Sequence, residues 1–158
     1  MKLRGWIAAV LLLSASAGFA GAQSTIDASP GQQYVPRLGD IMNNAQTRHI
    51  KLWYAAKAAN WELAGFEIRQ LKANLVEAAL LYSGIPVTNV TTLAAPLQSV
   101  ADAIEAKDGK RFAAAYGELT GGCNACHQTM QRGFVSIQTP AEQPFGFGDQ
   151  VFTPQGKK

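Results

Sequence analysis

The chain has 158 residues, of which 47% are hydrophobic and 16% charged, with two cysteines and two histidines. This composition fits one compact domain and excludes both a disordered polymer and a large enzyme. The formal net charge of +3 would by itself suggest nucleic-acid binding, but the balance depends on whether the N-terminal segment is retained.

The first residues have the features of a secretory signal peptide. Lys2 and Arg4 form a basic segment, and the apolar run that follows is shorter than the roughly 20 residues of a bilayer-spanning helix. Residues 20–22 satisfy the small-x-small rule, so we expect cleavage after Ala22 and removal of residues 1–22. Cleavage two residues earlier, or retention of the segment as a membrane tether, are the alternatives.

Cleavage changes the charge balance of the chain. Because two of the 14 Lys and Arg residues leave with the signal, the mature chain carries 12 against 11 acidic residues, a net charge of +1. Nucleic-acid binding then loses its compositional support. We expect an exported, periplasmic protein without stable membrane insertion.

Apolar residues recur at steps of three and four in four stretches, which predicts four helices. The first covers about residues 36–58, with Pro36 in its first turn, and the second begins after Asn60 as N-cap and ends near Gly84. The predicted buried stripes are Leu38, Met42, Ala45, His49, Leu52 and Ala56 in the first helix, and Trp61, Ala64, Ile68, Leu71, Leu75, Ala78 and Tyr82 in the second.

The second half of the chain contains the other two predicted helices. A turn-rich linker over residues 83–91 precedes a third helix that ends near Lys107. Asp108 then caps a fourth helix over about residues 109–132. Their predicted stripes are Leu93, Leu97, Val100 and Ile104, and Phe112, Tyr116, Leu119, Cys123, Cys126 and Met130.

These elements define the expected architecture. Short connections make sequential helices neighbours, so the all-α chain is predicted to form an antiparallel up-down-up-down four-helix bundle over residues 23–135. The tail, residues 136–158, is rich in Pro and Gly and has no period. We expect it to lie along the bundle surface or to be mobile. The alternative is a partner-docking peptide that uses Phe145, Phe147 and Phe152.

The chemistry is concentrated in residues 123–127, Cys-Asn-Ala-Cys-His, which include both cysteines of the chain. This spacing is the signature of covalent haem c attachment. Cys123 and Cys126 would reach the two vinyl groups of one porphyrin as thioethers, with His127 under the iron as proximal ligand. A thioredoxin-like pair would need a βαβ context and a zinc site further ligands, while a disulfide suits this spacing within one helix poorly.

The stretch from Phe112 to His127 resembles the class II cytochromes c, whose best-known members are the cytochromes c′. In that family the haem motif lies near the C-terminal end of the last helix of a four-helix bundle. The resemblance covers about Arg37 to Arg132. It implies a periplasmic haem protein of one of two kinds: a six-coordinate electron carrier with a distal methionine, or a five-coordinate form that binds small gases.

The sixth coordination position depends on the first helix, where Met42 and His49 share the predicted stripe. In an up-down-up-down bundle the end of the fourth helix lies beside the start of the first, which is the level of Met42. His49 lies seven residues deeper, roughly 10 Å along the axis. We therefore expect Met42 to bind the iron, and the resemblance implies the same position. His49 as ligand, and an open site with Met42 as core filling, are the alternatives.

Basic residues of the first helix are candidates for pairing with a haem propionate: Arg37, Arg48 and Lys51. Arg37 is the preferred one because it lies at the same end of the helix as Met42. The resemblance implies a propionate-binding arginine four residues before the distal position, whereas Arg37 lies five residues before Met42.

Glycines near the motif suggest that another group approaches the fourth helix closely, because each costs a helix up to about 1 kcal/mol relative to alanine. That group is either a haem face or another helix, and the positions are Gly117, Gly121 and Gly122. The family's basic residue four positions after the proximal histidine, linked to gas discrimination, corresponds here to Gln131, with Arg132 one step further.

Together these features predict a mono-haem c-type cytochrome that transfers one electron to a redox partner protein and is not an enzyme. The alternative function is a five-coordinate protein that binds or scavenges gases such as nitric oxide. A third interpretation is a structural or partner-regulated module that uses the tail. The sequence leaves open whether the bundle forms a homodimer.

Overall fold

The computed structural model describes residues 34–85, 87–141 and 150–154, which form helices and connecting segments with no strand among them. The helices are α1 (Leu38–Lys57), α2 (Trp61–Leu81), α3 (Val87–Thr92), α4 (Ala94–Glu105) and α5 (Gly109–Thr129). The predicted signal peptide, its cleavage site, and Phe145 and Phe147 of the tail lie outside the described residues.

The four predicted helices correspond to α1, α2, α4 and α5, and two of their predicted N-caps are confirmed. The Asn60 side chain accepts a hydrogen bond from the Leu63 amide at 3.1 Å. Asp108 accepts from the amides of Lys110 and Arg111, both at 3.0 Å. Each cap satisfies amide groups that have no partner within their own helix, which defines where α2 and α5 begin.

The prediction of a turn-rich linker over residues 83–91 is wrong in part, because it contains the six-residue helix α3. Its sequence, Val-Thr-Asn-Val-Thr-Thr, is rich in β-branched residues and has little helix propensity. The element contacts α2 and α4. Such contacts, which a local pattern does not report, contribute to its conformation.

The helices enclose a common apolar core, in which α1 packs on α2, α4 on α5, and α2 on α4, with a smaller contact between α1 and α5. Aromatic rings form one end of this core: Trp53 lies 4.9 Å from Tyr116 and 6.1 Å from Phe112, centroid to centroid, and Trp61 lies 6.4 Å from Phe112. The hydroxyl of Tyr82 donates to the Pro36 carbonyl at 2.7 Å, which joins the end of α2 to the residues before α1.

The predicted stripe of α1 is confirmed at Ala45, His49, Leu52 and Ala56, all of which are buried. It differs near the start of the helix, where Ile41 is 2% exposed while Leu38 and Met42 are only partly buried. The interior at this level is filled by Ile41, and Met42 lies at the edge of the buried stripe.

The described parts of the tail lie against the helices. Phe152 is 7% exposed and packs with its ring centroid 5.7 Å from that of Tyr54. Residues 135–137 run back along α5, with hydrogen bonds described below. Phe152 is thus a core residue and does not present its ring to a partner.

Within the described ranges, none of the helices has the length and apolar character needed to cross a bilayer.

Candidate functional site

The Cys-x-x-Cys-His motif lies in the last two turns of α5, which ends at Thr129. Cys123 packs against the apolar core, and Cys126 and His127 are partly buried. Both cysteines lie in the described part of the chain and are thiols, with no disulfide between them. One helix terminus therefore presents two thiols and an imidazole close together in sequence.

His127 is held through one ring nitrogen only. Its Nδ1 lies 2.7 Å from the Val135 carbonyl oxygen, so the ring donates Nδ1–H to this acceptor and is deprotonated at Nε2 when neutral. Among the described residues no side chain or backbone group hydrogen-bonds to Nε2. Metal-ligating histidines share this feature, because a hydrogen bond at one nitrogen sets the tautomer and leaves the other nitrogen to bind.

Asn124, inside the motif, holds the same return segment. Its Nδ2 donates to the Ile137 carbonyl at 2.8 Å, and its Oδ1 accepts from the Ile137 amide at 2.9 Å. The side chain thus pairs with both backbone groups of one residue. The chain after α5 is joined to the motif at two points, Val135 and Ile137.

Burial raises the pKa of the Cys123 thiol to about 11, with a smaller contribution from the neighbouring Cys126. The group is therefore a protonated thiol at neutral pH. Redox and nucleophilic cysteines depend on a thiolate, which an electropositive and partly exposed environment stabilises. Cys123 is instead surrounded by apolar groups that disfavour a thiolate, so this site does not support the thioredoxin-like alternative.

His49, the second histidine, is 2% exposed and uses both ring nitrogens. Nε2 lies 2.9 Å from Thr120 Oγ1, whose own hydrogen is donated to the Tyr116 carbonyl at 2.8 Å, so Nε2 is the donor. Nδ1 then accepts from the Tyr116 hydroxyl at 2.8 Å, which also lies 2.8 Å from the His49 carbonyl. Burial lowers the pKa of His49 to about 4, so the ring is neutral.

The candidate propionate partners have other contacts in this structure. Arg37 is exposed and pairs with Asp40 at 2.9 Å, and this hydrogen bond, followed by the Asp40 charge, raises the pKa of Arg37. Arg48 Nη1 lies 3.2 Å from Glu67 Oε2 and its guanidinium lies 5.8 Å from the Phe66 ring centroid. Arg48 thus belongs to the interface between α1 and α2, whereas Arg37 remains at the start of α1 as predicted.

The three glycines near the motif do not share one environment. A Cβ at Gly122 would lie 2.7 Å from the Leu93 side chain, so this glycine allows α5 to pack closely on the residue between α3 and α4. Cβ atoms at Gly117 and Gly121 would meet nothing within 4 Å. At Gly122 the close approach is therefore helix packing against Leu93, and no described protein group approaches Gly117 or Gly121 in this way. Gln131, which the resemblance aligns with a basic residue, is exposed and adopts φ 56° beyond the helix end, with Arg132 exposed next to it.

Several buried polar groups were not predicted from the sequence, among them Glu67 and Asn74. Glu67 is 2% exposed in the middle of α2, paired with Arg48. The Asn74 side-chain nitrogen, also on α2, is buried and has no hydrogen-bond partner. Asn74 lies between Leu71 and Ala78 at the spacing of the buried stripe, which is the one signal that could have identified it.

Among the residues that the structure describes, no three His, Cys, Asp or Glu side chains converge as a ready-made metal site. Comparisons of this chain with protein-family models, with curated proteins and with solved structures found no match.

Proposed function

We propose that this protein is a periplasmic mono-haem c-type cytochrome that carries one electron at a time, with haem attached through Cys123 and Cys126 and its iron bound by His127. The observation that carries the proposal is the motif at the end of one helix, with the His127 ring held at Nδ1 and available at Nε2. Bound haem supplies the one-electron iron couple, and the protein is a carrier that exchanges electrons with another redox protein.

The two thiols fit this attachment chemically. Each would add across one porphyrin vinyl group: a carbon–sulfur bond forms at one vinyl carbon, the double bond becomes single, and the thiol hydrogen goes to the other carbon. The addition consumes no oxidant or reductant. It requires both cysteines as thiols, which is the state they have in this structure.

The helix contacts support the antiparallel bundle that the proposal needs. His49 lies beside Thr120 while Trp53, four residues later, lies beside Tyr116, four residues earlier. When contacts move forward along one helix and backward along its neighbour, the two helices are packed antiparallel. Seven residues back from His49 is Met42, and seven residues on from Thr120 is His127, so the register favours Met42 at the level of the proximal histidine.

Two further observations support Met42 as the sixth ligand. Both nitrogens of His49 are engaged in hydrogen bonds, which argues against His49 in this role. Met42 is partly exposed, so its thioether can reach a group that lies outside the apolar core. A thioether is a soft ligand that raises the iron potential, which suits electron transfer.

The orphaned Asn74 amide fits the same region. The Tyr82–Pro36 hydrogen bond pairs the end of α2 with the start of α1, so Asn74, two turns earlier in α2, lies at about the level of Met42. A buried donor without a partner is costly, by about 1–3 kcal/mol, and native structures usually satisfy it. A haem propionate would provide that acceptor.

Covalent attachment is tested on the mature protein, expressed in a periplasm with haem-maturation machinery and examined on haem-stained denaturing gels. The wild type is expected to stain, and the double variant Cys123→Ala/Cys126→Ala is expected not to stain. Thr129→Val, which changes an exposed residue two positions after the motif, is the matched control and should stain like wild type. An unstained wild type would show that the proposed function is wrong.

The sixth ligand is tested by the ferrous absorption spectrum with and without carbon monoxide. Wild type is expected to be six-coordinate and low-spin and to bind carbon monoxide poorly, whereas Met42→Ala opens the iron and lowers the midpoint potential. Leu38→Ala, one turn earlier on the same helix, is the control and should behave as wild type. If wild type binds carbon monoxide readily and Met42→Ala changes nothing, the protein is a five-coordinate gas-binding cytochrome.

A further inference from the structure

The chain does not simply leave the bundle after α5 but folds back onto the motif. The Arg132 amide donates to the His127 carbonyl at 2.7 Å, and the Val135 amide donates to the Arg132 carbonyl at 2.8 Å. Gln131 has φ 56°, in the left-handed region, and it lies where the chain leaves the helix and reverses.

After the reversal, residues 134–137 run along the end of α5 in the opposite direction to the helix. Val135 is opposite His127, and Ile137 is opposite Asn124, two residues further along the return and three residues back along the helix. Val135 is 42% exposed and Phe134 is 82% exposed, so apolar burial does not hold these two residues. The segment depends on its hydrogen bonds instead.

The strongest of these attachments is the pair of hydrogen bonds between Asn124 and Ile137. Since Oδ1 and Nδ2 bind the amide and carbonyl of the same residue, the Asn124 side chain acts as a two-point clasp on the backbone. A two-point contact limits both translation and rotation of the segment. The Val135 carbonyl, two residues away, is thereby kept at 2.7 Å from His127 Nδ1.

We infer that residues 134–137 are a proximal strap, and that Asn124 is a positioning residue that holds the strap and through it orients His127. The inference rests on the proposed function, because the strap matters only if His127 binds the haem iron. A carbonyl acceptor at Nδ1 fixes the ring orientation and makes the imidazole a stronger electron donor at Nε2. A stronger donor stabilises ferric over ferrous iron, so the strap lowers the midpoint potential of the haem.

The test uses Asn124→Leu, which keeps the branching of the side chain at Cγ but removes both hydrogen bonds to Ile137, in the full-length, haem-loaded protein. The midpoint potential is expected to shift upward, with the haem still attached. Backbone amides of residues 134–137 are expected to lose protection from hydrogen exchange in the same variant. Thr129→Val is the control, because Thr129 hydrogen-bonds only within α5, and it should change neither measurement.

A second variant acts on the strap from the other side and leaves the motif intact. Ile137→Pro removes the amide that donates to Asn124 Oδ1, and is expected to raise the potential in the same direction. The double variant should shift the potential no further than the larger single shift, because both changes open one clasp. This variant also keeps the inference testable if Asn124→Leu impairs haem maturation.

The outcomes separate the strap from the proposed function. A wild-type protein without covalent haem overturns the proposed function, whatever the tail does. If the haem-loaded variants keep the wild-type midpoint potential and the wild-type hydrogen exchange at residues 134–137, the strap inference is wrong. The proposed function is not affected by that result. Additive potential shifts in the double variant would also overturn it, because the two residues would then act through separate contacts.

Discussion

The two histidines of this chain lie in contrasting surroundings. His49, in the middle of α1, is buried and has both ring nitrogens in hydrogen bonds to α5. His127, at the end of α5, is partly exposed and has one nitrogen bonded to a backbone carbonyl. The first ring completes a polar network inside the core. The second ring is held in orientation but keeps a lone pair for a ligand.

The difference suggests which property would separate a structural histidine from one that binds a metal, as proposed for His127. Both residues lie on apolar stripes, so helical periodicity treats them alike. A metal ligand needs one nitrogen fixed and the other accessible, whereas a core histidine is stable only when both are satisfied. The number of ring nitrogens that make hydrogen bonds therefore distinguishes the two kinds of histidine better than burial does.

The largest expected effect comes from making the same substitution at both histidines. His127→Gln should leave the thioethers intact but remove the proximal nitrogen, so the haem spectrum changes and the midpoint potential moves by a large part of the roughly 0.8 V range that axial ligands span. His49→Gln should leave the haem spectrum unchanged. The measurements are the ferrous absorption spectrum and a potentiometric titration of both variants.

Either of two results would contradict the expected difference between His127 and His49. An unchanged spectrum in His127→Gln would mean that another residue binds the iron. A shifted spectrum in His49→Gln, in a protein that still folds, would mean that the haem lies two helical turns deeper in the bundle than we propose.

The next effect concerns Arg48, beside His49, whose guanidinium pairs with the buried Glu67 carboxylate at 3.2 Å. Arg48→Leu should lower the free energy of unfolding by about 3–5 kcal/mol, because it leaves a buried carboxylate without compensation. Adding Glu67→Leu should recover most of this loss. Denaturant unfolding of the two variants measures it. A single variant as stable as wild type would show that the pair is solvated.

The helices themselves could be predicted from the sequence because their apolar spacing and their caps at Asn60 and Asp108 are local signals. Helix α3 could not, since its residues have little propensity and it depends on contacts with α2 and α4. For the site, residue spacing alone identifies the motif. The strap could not be predicted, because Asn124 pairs with Ile137 across a reversal that no periodicity reports.

The buried state of His49 has a pH signature of intermediate size. Burial lowers its pKa to about 4 from an ordinary value of 6.5, so between these pH values the unfolded chain holds more protons than the folded one. Above pH 6.5 His49 therefore does not change the free energy of unfolding. As the pH drops from 6.5 to 4, the free energy of unfolding falls by about 3 kcal/mol. Denaturant midpoints across this range measure the loss.

The control for that experiment is His49→Gln, which does not titrate. Other groups contribute equally to both proteins, so the difference between their pH profiles isolates His49. If wild type and variant lose stability in parallel from pH 6.5 to 4, the imidazole is not closed off from water as the structure shows.

The smallest expected effect compares two adjacent glycines beside the motif. At about 100° per residue, Gly121 lies on the side of α5 opposite Cys123, in open space, so Gly121→Ala should stabilise the protein by roughly 0.5–1 kcal/mol through helix propensity alone. Gly122→Ala brings a methyl group to 2.7 Å from Leu93, which is buried, and an overpacking cost of about 1–3 kcal/mol then offsets the same gain. Thermal unfolding of the haem-loaded proteins should rank Gly121→Ala above wild type and Gly122→Ala below Gly121→Ala, with the haem spectrum unchanged in Gly121→Ala. A spectral shift in Gly121→Ala would place the haem against the outer face of α5, away from the thiols that are proposed to hold it.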